Sequence, residues 1–329
     1  MRLFVILMLT ALAAMTGGRV LAQATSTGSG PAYPAKPVRI VVAFPPGGGV
    51  DIVARVVGPK LTESWGQQVI VENRAGASGM IGTELAARAA PDGYTVFIGT
   101  MGNLAVNQHL FPKMPVDPLR DFAPITLVVA VNFVMVAHPS LPVRNVKELI
   151  ALAKAHPGQI NYSSSGAGGA PHLGGELLKR MAQVNLTHIP YKGSGPSFQD
   201  LLGGHVSLTF DSLVQSLPYI KSGKLRALAV LGKNRLPLLP DVPTVGESVP
   251  GYDLTNWFGL VAPAATPRET IAKLHDDWAK ALLNPEVRAK LSGMGADVVG
   301  NTPEQFGAFM RSESAKWAKL VKEADIRAE

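Results

Sequence analysis

A strand, a glycine loop and a helix start are written twice in this chain, which constrains it to two α/β lobes built on one plan. Val38–Gly49 runs from an apolar strand into Phe-Pro-Pro-Gly-Gly-Gly, and about 120 residues later Ile160–Gly169 runs from a strand into Ser-Ser-Ser-Gly-Ala-Gly-Gly. Three further pairs follow in the same order. Val69–Gly79 is echoed by Val184–Gly195, Thr95–Thr100 by Val206–Asp211, and Val136–Pro142 by Val261–Pro267. Alternating strands and helices of this kind make βαβ units, so each lobe is expected to be a mainly parallel sheet flanked by helices. Two such lobes aiming glycine loops at helix starts make a clamp for a small molecule.

Two apolar runs carry the chain between the lobes. Ile125–Ala137 has no helical stripe and reads as a crossing strand; Leu254–Val261 reads as the return. The first lobe is then discontinuous, at residues 36–126 plus 251–329, the second lobe is 127–250, and the two crossings form a hinge. Helices are expected at Asp51–Trp65, Gly79–Ala90, Val146–His156, His172–Ala182 and Pro196–Gly203. In the tail they are expected at Pro267–Leu283, Pro285–Met294 and Pro303–Ala324, the last capped by Asn301-Thr302 with a Pro start.

A chain of 329 residues with 47% hydrophobic and 17% charged residues has material for two buried cores. Residues 1–22 have the basic start, apolar run and small-residue end of a signal peptide, cleaved after Ala22 or Ala24, with a flexible segment at 23–35. The product is expected to be exported and periplasmic. With no cysteine there is no disulfide, thiolate metal site or lipidated N-terminus. Removing Arg2 and Arg19 lowers the formal charge from +7 to +5. The basic residues are dispersed without interleaved aromatics, so nucleic acid is not an expected partner.

The first glycine loop places Phe44, Pro45, Gly48 and Gly49 at a helix start, where bare backbone and free N–H groups suit an anion such as a carboxylate. The same glycines also serve a plain βα turn. No Gly-Lys-Ser/Thr follows, so the loop is not a nucleotide-hydrolysis motif. Asp51 reads either as a first-turn partner of the helix dipole or as a ligand contact. The second loop offers Ser164, Ser165, Gly166 and Gly168, but Pro171 stands where a dinucleotide fingerprint needs its third glycine. His172 and Glu176, four apart, read as half a metal seat or as a surface pair, with His172 also poised to bond an anion. Asp211 ends an apolar strand, either capping the next helix or reading a polar ligand group. Thr100 and Asn103 hold the matching place in the first lobe, and Lys192 and Arg74 are the cations nearest the loops. Trp257-Phe258 lines the cleft or packs the hinge. No serine elbow surrounds Ser78, Ser164 or Ser194, and no acid–base pair converges, so neither catalysis nor a cofactor is expected.

Five spaced segments resemble the Bug-type, or TctC, family of tripartite tricarboxylate transporter receptors: Tyr33–Asp51, Val71–Thr83, Pro91–Tyr94, His188–Gly193 and Phe258–Pro263. The resemblance spans nearly the whole mature chain. It implies a type II periplasmic-binding-protein fold whose two lobes close on ligand. It also implies a ligand carboxylate held by main-chain amides and water from Phe44–Gly49 and Ser164–Gly169, with the family's cleft aspartate at Asp211. The ligand would be a di- or tricarboxylate, an amino acid or an aromatic acid, and the partners a large and a small membrane subunit meeting a monomeric receptor. Leu104 stands where relatives often carry a polar residue; if it faces the cleft, the far end of the ligand is apolar, which counts against citrate-like molecules. A sensory receptor presenting its liganded form to a membrane signalling protein is the alternative role.

Overall fold

The computed structural model describes residues 33–323 and 326; the expected leader, its cleavage positions and residues 23–32 lie outside the described residues. Strand β1 (Val38–Val42) leads to α1 (Gly49–Trp65), β2 (Val69–Asn73), α2 (Met80–Ala87) and β3 (Thr95–Thr100). Two short helices, α3 (Asn107–Leu110) and α4 (Pro118–Asp121), precede β4 (Phe122–Val131). The second lobe runs β5 (Phe133–Ala137), α5 (Val146–Ala155), β6 (Asn161–Ser164), α6 (Ala170–Ala182), β7 (Thr187–Pro190), α7 (Ser194–Leu202), β8 (Leu208–Ser212), α8 (Leu213–Lys221) and β9 (Arg226–Val230). The chain returns through β10 (Asn256–Pro263) and ends with α9 (Arg268–Leu283), α10 (Pro285–Ser292), β11 (Ala296–Val298) and α11 (Pro303–Glu323).

The duplication seen in the sequence is present in the topology. One sheet has the order β11-β4-β10-β3-β1-β2 and the other β7-β6-β8-β5-β9. In each, a central strand (β1 or β6) is flanked by two parallel partners, and a strand arriving from the other lobe (β10 or β5) pairs antiparallel with the third. The two-lobed α/β fold therefore stands, but its sheets are mixed rather than mainly parallel. A strand entering from the opposite lobe runs against the βαβ units it joins, and β4, β11 and β9 continue that antiparallel half.

The crossing run is not one strand. It breaks at Asn132, the polar residue between β4 and β5. Asn132 donates its amide and side-chain N–H groups to the Gly295 carbonyl, both at 3.2 Å, and its carbonyl accepts from the Leu213 amide at 2.8 Å. The hinge is thereby tied to both lobes. Along β5, Val134 and Val136 enter a core shared with Phe198, Leu201 and Leu213, while Phe133 and Met135 enter the main core on the other face. Burial on both faces explains why this strand is continuously apolar. Leu104 is fully buried in the main core, so the expectation attached to its facing the cleft does not apply. It lies in a π-helical turn, Gly102–Val106, that the sequence pattern did not reveal.

Candidate functional site

A cavity lined from both lobes lies between them, at the C-terminal ends of their parallel strands. The start of α1 enters it with Gly48, Gly49 and Val50, and the start of α6 with Gly169, Ala170 and Pro171. Ser194 opens α7 there, and Ser212 opens α8. The N-caps of these four helices are Gly48, Gly169, Gly193 and Ser212, and none makes a side-chain cap hydrogen bond. Among the other helices, side chains cap α4 (Asp117), α5 (Asn145) and α10 (Asn284), whereas α2, α3 and α9 also lack a side-chain cap but do not line this cavity. Uncapped helix starts hold N–H donors and roughly half a positive charge each, so four aimed at one cavity make an anion site without a basic side chain. Its lining contains no Lys, Arg or His.

The loops are braced from behind. Asp51 is 2% exposed and accepts hydrogen bonds from the Gly47 amide at 2.9 Å, from Asn73 at 2.9 Å and from Arg55. Burial works against its charge, yet these bonds hold its carboxyl below the usual range. Asp51 thus fixes the first glycine loop rather than reading a ligand. Thr100 lines the cavity, with its hydroxyl donating to Asn103 Oδ1 at 2.9 Å, so Asn103 stands behind it. In the second lobe His172 Nδ1 accepts from the Gly168 amide at 3.2 Å, and His188 Nε2 shares a 2.6 Å hydrogen bond with Ser164 Oγ. The two imidazoles lie 4.5 Å apart.

Burial, with His172 nearby, lowers the His188 pKa to about 4. In an unfolded chain an imidazole titrates near 6.5, so the folded state's advantage is complete above that value and is lost as pH falls towards 4. We therefore expect acidification through this window to lower stability by at most about 3 kcal/mol, and His188→Gln to flatten that part of the profile. Melting temperatures of both proteins across the window test this; superimposable slopes would contradict it.

Asp211 is 2% exposed, lines the cavity, and stands within β8 rather than capping α8; the cap position belongs to Ser212. Its Oδ1 accepts from the Ser212 amide at 2.6 Å, while Oδ2 is buried without a hydrogen-bond partner. Burial raises its pKa to about 6, against the pull of the Ser212 amide and of the nearby Ser194 and Ser212 hydroxyls, neither of which makes a well-formed hydrogen bond to Oδ2. Ser212 Oγ and Asn256 Oδ1, also at the cavity, are buried and unpartnered as well. A polar ligand in the cavity would supply partners to all three.

Of the residues expected at the site, Phe44, Gly48, Gly49, Thr100, Ser165 and Asp211 line the cavity, whereas Pro45, Asn103, Ser164, Gly166, Gly168, His172 and Lys192 do not. The glycines among the latter face the opposite lobe. A Cβ on Gly166 (φ +119°) would lie 3.0 Å from Ser78 Oγ, and one on Gly168 (φ +79°) would fall on Asn107 Oδ1. Pro45 packs against Gly193, so it too belongs to the lobe-to-lobe seam. Ser164 and His172 are turned into the bracing network, and Lys192 is exposed. Arg74 pairs with Glu72, and Glu176 with Lys179 and the Tyr162 hydroxyl. Among the described residues no His/Cys/Asp/Glu cluster could hold a metal. Trp257 and Phe258 divide the two roles left open for them: Trp257 packs on Phe306 and Phe309, and Phe258 lines the cavity. Sequence reasoning missed Phe133, Ser194, Ser212 and Asn256. Asn256 alone left a signal, as a polar residue opening an apolar strand.

Known proteins match this arrangement. The sequence profile described as the tripartite tricarboxylate transporter family receptor, TctC, matches residues 53–326. The periplasmic binding protein BugD superposes with a TM-score of 0.87 at 37% identity, over 90% of this chain and 100% of its own. R. palustris Rpa4515 with adipate gives 0.87 at 38% identity, over 90% and 99%. MatC from Rhodopseudomonas palustris with bound malate gives 0.85 at 32%, over 88% and 100%.

Proposed function

Because the chain belongs to the TctC family of tripartite tricarboxylate transporter receptors, which are periplasmic solute-binding proteins and not enzymes, we propose that it captures a small carboxylate between its lobes and delivers it to a tripartite transporter. The observation that carries this reading is the convergence of four uncapped helix starts on a cavity without a basic side chain. Backbone amides at helix starts accept a carboxylate well, and the low dielectric of a closed cleft strengthens the interaction. Adipate and malate in the two R. palustris proteins point the same way, towards a dicarboxylate. Closure supplies the signal: a permease pair of one large and one small membrane subunit would engage the closed, liganded form. In this reading the receptor acts as a monomer, released into the periplasm by cleavage after Ala22 or Ala24. No helix among the described residues is long and apolar enough to cross a membrane.

A thermal-shift screen of the mature protein against mono-, di- and tricarboxylates, amino acids and aromatic acids tests the reading. A true ligand at about 100 times its Kd adds about 2.7 kcal/mol of stability, which raises Tm by several degrees. A response confined to one acid class is expected. A flat response to every carboxylate would overturn the proposal.

A further inference from the structure

The charge balance of the cavity constrains the ligand further, on the premise that it is a carboxylate. Helix starts α1, α6 and α7 each bring roughly half a positive charge; α8 brings less, since its first N–H is taken by Asn132. Their sum, between about +1.5 and +2, is offset by one ionised Asp211, leaving about +0.5 to +1, enough for no more than a single negative charge. A fully ionised dicarboxylate would set a second carboxylate against the unpartnered Asp211 Oδ2 with no cation in the lining.

No neighbour relieves that clash. Strands β5 and β6 offer Asp211 no charged side chain. On α6, His172 is turned to Gly168 and Glu176 is tied to Lys179, with Arg180 at the far end. On α7, Asp200 is held by Tyr191; on α8, Lys221 lies at the opposite end from the cavity; on α1, Asp51 is tied to Arg55. Burial and local hydrogen bonds alone set the ionisation of Asp211.

We propose that the ligand's far end donates a hydrogen bond to Asp211 Oδ2, so that a dicarboxylate is captured together with one proton, shared between its second carboxyl group and Asp211. The carboxylate on the helix starts stays ionised, and no bond other than the O–H bond of the shared proton is made or broken. An amide or hydroxyl at the far end would serve as donor without a proton being taken up. The recognised species is therefore a monoanion carrying a donor, and a trianionic tricarboxylate is disfavoured.

Isothermal titration of the mature protein with adipate and with adipic monoamide, in buffers of different ionisation enthalpy, tests this. Between about pH 7 and 8.5, adipate should bind with uptake approaching one proton, its Kd rising up to tenfold per pH unit. The monoamide should bind with no uptake and a flat profile. In Asp211→Asn the new amide donates to the second carboxylate, so adipate should lose its pH dependence while still binding. Adipate binding to the wild type without proton uptake would overturn the inference and leave the receptor reading intact. Binding of neither compound would overturn the inference for adipate, while the receptor reading falls only if the whole carboxylate screen is flat. Should Asp211→Asn not fold, the wild-type comparison decides alone.

Discussion

Replacing Gly49 with valine is expected to weaken binding of any cleft ligand at least about 100-fold while leaving Tm within about 2 °C. Gly49 is the first residue of α1, and its backbone accepts any side chain within its own lobe. The obstacle stands across the cleft: a Cβ there would lie 2.6 Å from Ser212 Oγ and 3.2 Å from Ser212 Cβ. Valine adds two more methyl groups to that clash, so the lobes fold but do not close. Without closure the α7 and α8 starts no longer face the ligand, and losing a few charge-assisted contacts of about 1 kcal/mol or more each accounts for two orders of magnitude. The control lies outside the cavity. A Cβ on Gly232, which does not line it, meets nothing within 4 Å, so Gly232→Val should cost less than about twofold. Calorimetric titration of both variants separates the cases, and equal losses would contradict the closure argument.

Gly259→Val should produce the largest loss of stability, about 3 kcal/mol, or a fall in Tm of roughly 6–12 °C. Gly259 lies in β10, between β4 and β3, with register shifts on either side of the Gly259–Leu260 pair. A Cβ there would fall on Cζ of Phe306, a fully buried ring of α11 that stands edge-on to Trp257 at 5.8 Å. A side chain at this position expels the ring and breaks the contact between α11 and the sheet. Thermal unfolding followed by near-ultraviolet circular dichroism measures the effect; a shift under about 2 °C would show that the ring relocates at little cost.

Much of this was legible from residue order because it is local. Apolar runs, glycine loops and the Pro start of α11 follow from strand period and turn chemistry, and the duplicated plan gave the lobes their matching topology. Asp211 was conspicuous as a charge ending an apolar strand. The cross-cleft geometry was not legible, since which side chain meets which glycine depends on how two lobes close. Gly166 and Gly168 read as room for a ligand, yet their bare faces receive Ser78 and Asn107. His172 read as a ligand contact or half a metal seat, yet it props the Gly168 amide. Ser194 and Ser212 carry no pattern that separates them from other helix-start serines. The mixed character of the sheets also depends on long-range pairing, because strand direction is set by which lobe the chain arrives from.

The central claim is that backbone amides at helix starts recognise a carboxylate by its charge. Calorimetric titration of the mature protein with adipate and with its neutral diamide, equal in shape, tests this most directly. Adipate, or a shorter homologue such as glutarate or succinate, should bind, and the matching diamide should show no measurable heat at the same concentrations. Equal affinity for the acid and its diamide would contradict the claim, since shape and hydrogen bonding alone would then suffice.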